Sequence, residues 1–278
     1  MAPDNAGGPF AGTRPLFKAY YLLVVATGSV LAVMAFPDAS ADSWIPVFWW
    51  LAFATVAELS PIMLPGSRAY ITVSSALDYA AIVVFGPIVA AMIAAVSSVL
   101  TSLVFSRQAP HKVLFNVCLF VITIMAAGLV FDAAGGRSAD SVGDLVVPLA
   151  AMGITYFLID TFGVSLVVAL HERANAWRIW QSTYLWTTLT HLVGFVPLGA
   201  IIVVIYREIG IPGVALFLVP LLLARYSFKL YTDMRQVHID TVRALTSAID
   251  ASDPFTRGHS ERVTEYSVAL AREMGLSE

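Results

Sequence analysis

Four ionisable side chains lie inside segments that are otherwise apolar. Glu58, Asp78, Asp160 and His191 each interrupt a run of mainly apolar residues. A charge that faces lipid at the centre of a bilayer costs at least ~2.5–3.5 kcal/mol, so we expect all four to face the interior of a helical bundle. Each lies about six to ten residues from the same side of the membrane, or roughly 9–15 Å at 1.5 Å per residue. Three carboxylates and an imidazole at one depth would suit a cation, a proton or an amine-bearing small molecule.

Hydrogen bonding between helices is the competing explanation for these residues. The four groups could pair with one another or with the hydroxyls of Ser60, Thr155 and Thr190, at about 0.6 kcal/mol per hydrogen bond. Pro61 and Pro197 favour a pocket, because each proline frees a backbone carbonyl four residues earlier, close to the polar groups. The residues alone leave both interpretations open.

The composition identifies the environment of these segments. Of the 278 residues, 58% are hydrophobic and only 13% are charged, and the mean hydropathy is +0.79. A soluble protein of this size is far less apolar, so the chain is predicted to be an integral membrane protein. The net charge of -3 and the scattered basic residues exclude a nucleic-acid-binding surface. Cys118 is the single cysteine, which excludes an intramolecular disulfide.

The apolar runs predict an all-α fold, a polytopic membrane bundle of about eight transmembrane helices that occupies residues 17–225. Each run approaches the ~20 residues needed to cross the hydrocarbon core, the third and the last being the shortest. Residues 1–16 form a polar, Gly- and Pro-rich lead that is expected to be disordered. A cleaved signal peptide is the alternative for the first run, although that run is long for one. The predicted spans are 17–36, 44–64, 71–85, 88–105, 113–131, 145–170, 184–206 and 212–223.

Loop charges predict the orientation of the bundle. Lys and Arg concentrate on the cytoplasmic side of membrane proteins. If the N-terminus is inside, the outer loops contain only Arg137 and Arg207. The inner borders then contain Arg14, Lys18, Arg68, Arg107, Lys112, Arg173, Arg178, Arg225 and Lys229. This asymmetry favours a multi-pass protein of the inner (cytoplasmic) membrane with both termini in the cytoplasm.

A linker helix is predicted to follow the last span. Residues 226–251 contain no Gly or Pro, and small or apolar residues recur there at alternating steps of four and three. These residues are Leu230, Met234, Val237, Thr241, Ala244 and Ala248. This spacing is typical of a coiled-coil seam, although Thr and Ala make it weak. We therefore expect a homodimer through the linker helix, the alternative being a helix that packs on its own domain.

The last segment, residues 252–278, has the pattern of two helices joined by a corner. Asp253-Pro254 ends the first helix, and Gly258 lies in the turn. Its "DPFTRGHSERV", followed by "ALAREMGLS", resembles the beginning of an HD-GYP domain, a metal-dependent cyclic-di-GMP phosphodiesterase. The resemblance implies that His259 is the first metal ligand of that domain. Without the family, the same histidine would be interpreted as a surface helix cap.

The remaining HD-GYP motifs, a His-Asp dyad and a Gly-Tyr-Pro sequence, do not occur after His259. A single imidazole cannot hold a catalytic metal. We therefore expect no catalytic residue, no phosphodiesterase activity and no bound cofactor in this chain. The resemblance implies a divalent metal, such as iron or manganese, in a longer parent protein.

The membrane segments show a second and looser resemblance. "AELSPIMLP", "ITVSSAL…FGP" and "HKVLFN" are similar to the multi-span sensor regions of MASE type, which precede HD-GYP and GGDEF domains. The resemblance implies that the bundle is the sensory input of a bacterial cyclic-di-GMP phosphodiesterase. The alternative function is a transport or solute-capture component that binds a small molecule or cation within the bundle. A linker helix that leads into a signalling domain favours the sensor.

Overall fold

The computed structural model describes residues 15–39, 43–59, 62–63, 70–71, 74–105, 108–139, 143–252 and 259–274. Within them the fold is helical, as predicted, apart from one antiparallel strand pair of two residues a side, Ile62–Met63 with Tyr70–Ile71. The helices are α1 (Pro15–Ala35), α2 (Trp44–Glu58), α3 (Ser74–Phe85), α4 (Pro87–Val99), α5 (Pro110–Ala133), α6 (Val146–Glu172), α7 (Ala176–Leu189), α8 (Val196–Ile209), α9 (Ile211–Ser252) and α10 (His259–Glu273). A π-helical segment follows α4 (Leu100–Phe105), and another joins α7 to α8 (Thr190–Phe195).

Helix lengths support a multi-pass membrane protein. Among the described residues, five helices are long and apolar enough to cross a membrane, and three shorter helices are also apolar. The short ones are Trp44–Glu58, Ser74–Phe85 and Pro87–Leu103. Seven of the eight predicted spans overlap one apolar helix each, whereas the predicted span 184–206 covers the end of α7, the π-helical segment Thr190–Phe195 and most of α8. The number of helices that cross the bilayer and the orientation of the termini stay predictions.

The chain divides into two compact units, Met1–Leu218 and Val219–Glu278. In the first unit, α3 occupies the centre, since every residue from Ser75 to Val83 is buried. The outward side chains of α1 and α2 are apolar, with Leu23 and Phe48 among the most exposed. A surface of this kind suits a bundle whose solvent is lipid.

Small residues allow the helices of this unit to approach closely. A Cβ on Gly28 in α1 would lie 2.5 Å from the Cβ of Cys118 in α5. A Cβ on Gly199 in α8 would lie 3.0 Å from the carbonyl oxygen of Ala76 in α3. Membrane helices associate through such contacts, because lipid provides little hydrophobic driving force between them. Cys118 is buried and forms no disulfide.

The predicted Gly-Pro corner between the third and fourth spans is confirmed. α3 ends at Phe85 and α4 begins at Pro87. Gly86 has a φ of 86°, a conformation that favours glycine. Pro87 suits the first helical position because its missing N–H would have no partner within the helix.

The last predicted span and the predicted linker helix form one continuous helix. The helix α9 runs from Ile211 to Ser252 through the predicted boundary at residue 225, and its 42 residues end directly before Asp253-Pro254, where the sequence predicted a helix end. Pro220 lies inside this helix and removes one backbone hydrogen bond, to Leu216, without ending it. Hydropathy falls after Leu223 because the side chains become polar, while nothing in the backbone requires the helix to stop.

Candidate functional site

Glu58, the last residue of α2, is paired with a hydroxyl of α4. The Ser97 hydroxyl donates a hydrogen bond of 2.7 Å to the Glu58 carboxylate. Ser97 is buried, and the nearby Thr101 hydroxyl bonds to the backbone carbonyl of Ser97 at 2.9 Å. The π-helical segment Leu100–Phe105 begins just beyond Ser97. π-Helical turns of this kind are frequent at functional sites.

Asp78 lies one turn into α3 and is paired with a tyrosine of α6. It is buried, and its carboxyl group accepts a hydrogen bond of 2.8 Å from the Tyr156 hydroxyl. The Tyr156 ring meets Tyr79 edge to face, with ring centroids 5.0 Å apart. The carboxyl group is therefore held by a donor that is itself fixed by packing, and a buried polar group of this kind needs such a partner.

A third contact fixes the position of α3 next to α2. The indole N–H of Trp50 donates to the backbone carbonyl of Leu77 at 3.2 Å, directly before Asp78. The Trp50 ring also meets Phe85 and Tyr206 edge to face, at 5.2 and 5.3 Å. Only 1% of Trp50 is exposed. Trp50 therefore fixes the position of α3, which carries Asp78, against α2, which ends in Glu58.

Glu58 and Asp78 line one small cavity. The other lining residues are Ala54, Ser74, Ala94, Ser97 and Phe120. The cavity measures about 10 Å³, close to the ~10–15 Å³ that a single water molecule needs. As the helices stand, this space suits one water molecule or one small monatomic cation and is too small for an organic amine. Hard cations prefer the carboxylate and hydroxyl oxygens found here.

Asp160 lies near this cavity without lining it. It is on α6, one turn after Tyr156, and is partly buried. The charges of Glu58 and Asp160 both act on Asp78, and Asp160 also acts on Tyr184 of α7. Of the four residues predicted to lie at one depth, Glu58 and Asp78 therefore line one cavity. Asp160 is close enough to Asp78 for an electrostatic interaction.

The other predicted site residues give less structural information. His191 lies in the π-helical segment Thr190–Phe195, but its side chain is outside the described part of the chain. His259 is the first residue of α10 and is exposed, while Asp253 and Gly258 lie outside the described residues. Within the part of the chain that the structure describes, no group of three or more His, Cys, Asp or Glu side chains could hold a metal ion.

Sequence reasoning missed the two hydroxyl partners, Ser97 and Tyr156. The expected partner Thr155 instead donates to the backbone carbonyl of Ala151, at 2.8 Å. Tyr156 could have been noticed, because it precedes Asp160 by one helical turn and both are polar within an apolar span. Ser97 belongs to a run with Ser98 and Thr101, and nothing in the sequence specifies that Glu58 faces it.

A comparison with protein-family models gives one match. The MASE9 family model matches residues 45–232, well over half of the chain. The matched range includes Glu58, Asp78, Asp160 and His191, and it ends within α9, before His259. No curated protein and no solved structure matches the chain. The chain therefore belongs to the MASE9 family of membrane-associated sensory domains.

Proposed function

We propose that this chain contains the membrane-embedded sensory input region of a bacterial cyclic-di-GMP phosphodiesterase of the HD-GYP class. The observation that carries the proposal is the order of its parts: the MASE9 match spans residues 45–232, and the "DPFTRGHSERV" sequence around His259 follows it. Sensory membrane regions of this kind are useful only when linked to an output. The phosphodiesterase assignment rests on the resemblance of this tail.

The signal that we propose is a monatomic cation or a proton at the Glu58–Asp78 cavity. Two carboxyl groups and the Ser97 hydroxyl line this cavity, beside apolar residues. Buried carboxylates close together are unfavourable unless a cation or a proton reduces their repulsion. A bound cation or proton would therefore stabilise the helix arrangement in which α2, α3 and α4 bring these oxygens together. A sensor needs such a difference in ligand affinity between two arrangements.

Transport or solute capture is the alternative function, and the same buried carboxyl groups would serve it. The cavity of about 10 Å³ argues against an organic solute. The 42-residue α9 also argues for signalling. At 1.5 Å per residue α9 is about 63 Å long, roughly twice the ~30 Å hydrocarbon core. A transporter has no need of so long a helix beyond its last span.

Thermal unfolding of the detergent-solubilised chain tests the cavity. Chloride salts of Na⁺, Li⁺, K⁺ and choline are compared at constant ionic strength, each at two pH values. A small cation or a proton should raise the Tm by a few degrees, since a ligand at about 100 times its Kd adds ~2.7 kcal/mol. The shift caused by cations should vanish in Glu58→Gln and the shift caused by pH should become smaller, whereas both should persist in the control Asp132→Asn, which removes an exposed carboxylate paired with Arg137. Equal responses in both variants would contradict the assignment.

The phosphodiesterase assignment has a separate test. The reading frame past Glu278 should encode a His-Asp dyad and a Gly-Tyr-Pro motif. The protein translated through those motifs should bind iron, manganese or a similar divalent metal and hydrolyse cyclic-di-GMP, and His259→Ala should abolish both properties. A reading frame that stops near Glu278, or one without these motifs, would remove the phosphodiesterase and leave a sensory domain with another output.

The proposed orientation places both termini in the cytoplasm, where cyclic-di-GMP acts. Reporter fusions after Ala133 and Gly210 should behave as external, and fusions after Gln108 and Ala174 as cytoplasmic. A reversed result at any two of these positions would overturn the topology. We also propose that two copies of the chain pair through α9.

A further inference from the structure

The part of α9 beyond the membrane border carries two apolar stripes rather than one. Arg225 and Lys229 mark that border, and Asp233, Arg235 and Asp240 follow, so this stretch lies in water. The first stripe is Leu230, Met234 and Val237, and the second begins at Val242 and Leu245. All five of these side chains are 50–66% exposed. Apolar groups repeated at this spacing in a charged helix indicate a surface that another helix covers.

The two stripes are out of phase. Leu230, Met234 and Val237 follow steps of four and three, and the same steps lead next to Thr241 and Ala244. The large apolar side chains instead lie one position later, at Val242 and Leu245, with Ile249 one turn further on the same face. Since a helix turns about 100° per residue, the second stripe lies roughly a quarter of a turn around the helix from the first. A regular two-stranded coiled coil cannot bury both stripes completely.

The positions of Asp233 and His238 favour a second copy of this chain as the occupant of the first stripe, because an imidazole N–H can donate a hydrogen bond to a carboxylate. If Leu230 and Val237 occupy d positions of a coiled-coil heptad, whose positions are lettered a to g, Asp233 occupies a g position. His238 then occupies the next e position, five residues later. In a parallel pair, g and e′ residues at this separation face each other across the seam. Two identical helices therefore bring Asp233 of each copy next to His238 of the other, twice per dimer.

We infer that α9 pairs with α9 of a second copy through Leu230, Met234 and Val237, and that the paired face then shifts by a quarter turn to Val242 and Leu245. This inference rests on the pairing proposed above and adds its register. Rotation of the helices about their axes would tighten one half of the pair and loosen the other. The break between Val237 and Val242 is thus where motion of the bundle can change the output.

Single-cysteine crosslinking in membranes tests the register, using the full chain with Cys118→Ser as background. Because Cys118 is buried, the native chain replaces this background if the variant does not fold. Cysteines at Met234, Val237, Val242 and Leu245 should form disulfide-linked dimers several-fold faster than cysteines at Thr241 and Ala244. Gln236, on the opposite side of the helix, is the control and should react least. Fast reaction at Thr241 and Ala244 with slow reaction at Val242 and Leu245 would overturn the shift but keep the dimer. No crosslinking above Gln236 anywhere would overturn the pairing itself.

A one-residue deletion provides an independent test. Deletion of Ile239 brings Leu230, Met234, Val237, Val242, Leu245 and Ile249 into one continuous seam. The dimer should then become markedly more resistant to dilution in detergent than the native chain. Insertion of one alanine at the same place is the matched control, because it moves the stripes further apart. Equal dimer stability in the deletion and insertion variants would contradict the inference.

Discussion

The bundle and the C-terminal part of α9 place their polar and apolar residues in opposite ways. In the bundle, Asp78 and Tyr156 are buried and bonded, while Leu23 and Phe48 face outward. Along α9 after Lys229, charged residues and large apolar residues such as Leu245 share one exposed surface. In the bundle, lipid accounts for the exposed apolar side chains. We propose that the part of α9 after Lys229 lies in water, where exposed apolar side chains need another protein surface.

The largest effect is expected where the bundle packs most tightly. Trp50→Ala removes a side chain that is 1% exposed and that donates to Leu77. Large-to-small changes of this kind cost about 3–5 kcal/mol. The Tm in detergent should therefore fall by many degrees. Trp44→Ala on the same helix is the control, because Trp44 is half exposed, and an equal loss in the two variants would contradict the packing described here.

The buried polar pair should give the next largest effect. Tyr156→Phe keeps the ring and removes the donor to Asp78, leaving a buried carboxyl group without that hydrogen bond. Such a loss costs about 1–3 kcal/mol. Tyr20→Phe is the matched control, since the Tyr20 hydroxyl donates to the backbone carbonyl of Gly163 at 3.1 Å. Unfolding in chemical denaturant should show the greater loss for Tyr156→Phe, and the reverse order would argue against a special role for Asp78.

The helix α9 should respond in a different way from the bundle. Leu245→Ser changes an exposed residue, so the Tm of the bundle should not move. If the residue lies in a dimer seam, the same change should lower the crosslinking of a Val242→Cys chain several-fold. A drop in Tm with unchanged crosslinking would mean that Leu245 packs within its own chain.

The smallest effect is expected at the exposed ion pair between Arg137 and Asp132. The atoms are 2.9 Å apart, but the side chains are 45% and 37% exposed. Exposed pairs contribute about 0–1 kcal/mol, so Arg137→Gln should change the unfolding free energy by less than Tyr156→Phe does. A loss as large as that of Trp50→Ala would show that this loop contributes more than its exposed ion pair.

Several features of the fold were predictable because they depend on local chemistry. The Gly86-Pro87 corner follows from the conformations that these two residues allow. The proximity of Glu58 and Asp78 was expected because ionisable side chains in membrane spans face the interior of the bundle. Two such side chains at the same depth therefore lie close together. The partners Ser97 and Tyr156 were not predictable, because neighbouring helices and their rotation are set by packing across the whole bundle. The end of α9 at Ser252 was also predictable, because Pro254 restricts the backbone of the residue before it and so disfavours a continued helix.

Coupling between the cavity and the output tests the central claim most directly. The protein translated through its complete reading frame is placed in proteoliposomes, and cyclic-di-GMP turnover is measured while Na⁺ or pH is varied. We predict that turnover changes about 5-fold or more, within the usual range of coupling between two sites. In Glu58→Gln, turnover should no longer respond to Na⁺, and its pH dependence should be reduced to that of the catalytic domain itself. Identical responses of the native protein and Glu58→Gln would contradict the assignment of this cavity as the sensory site.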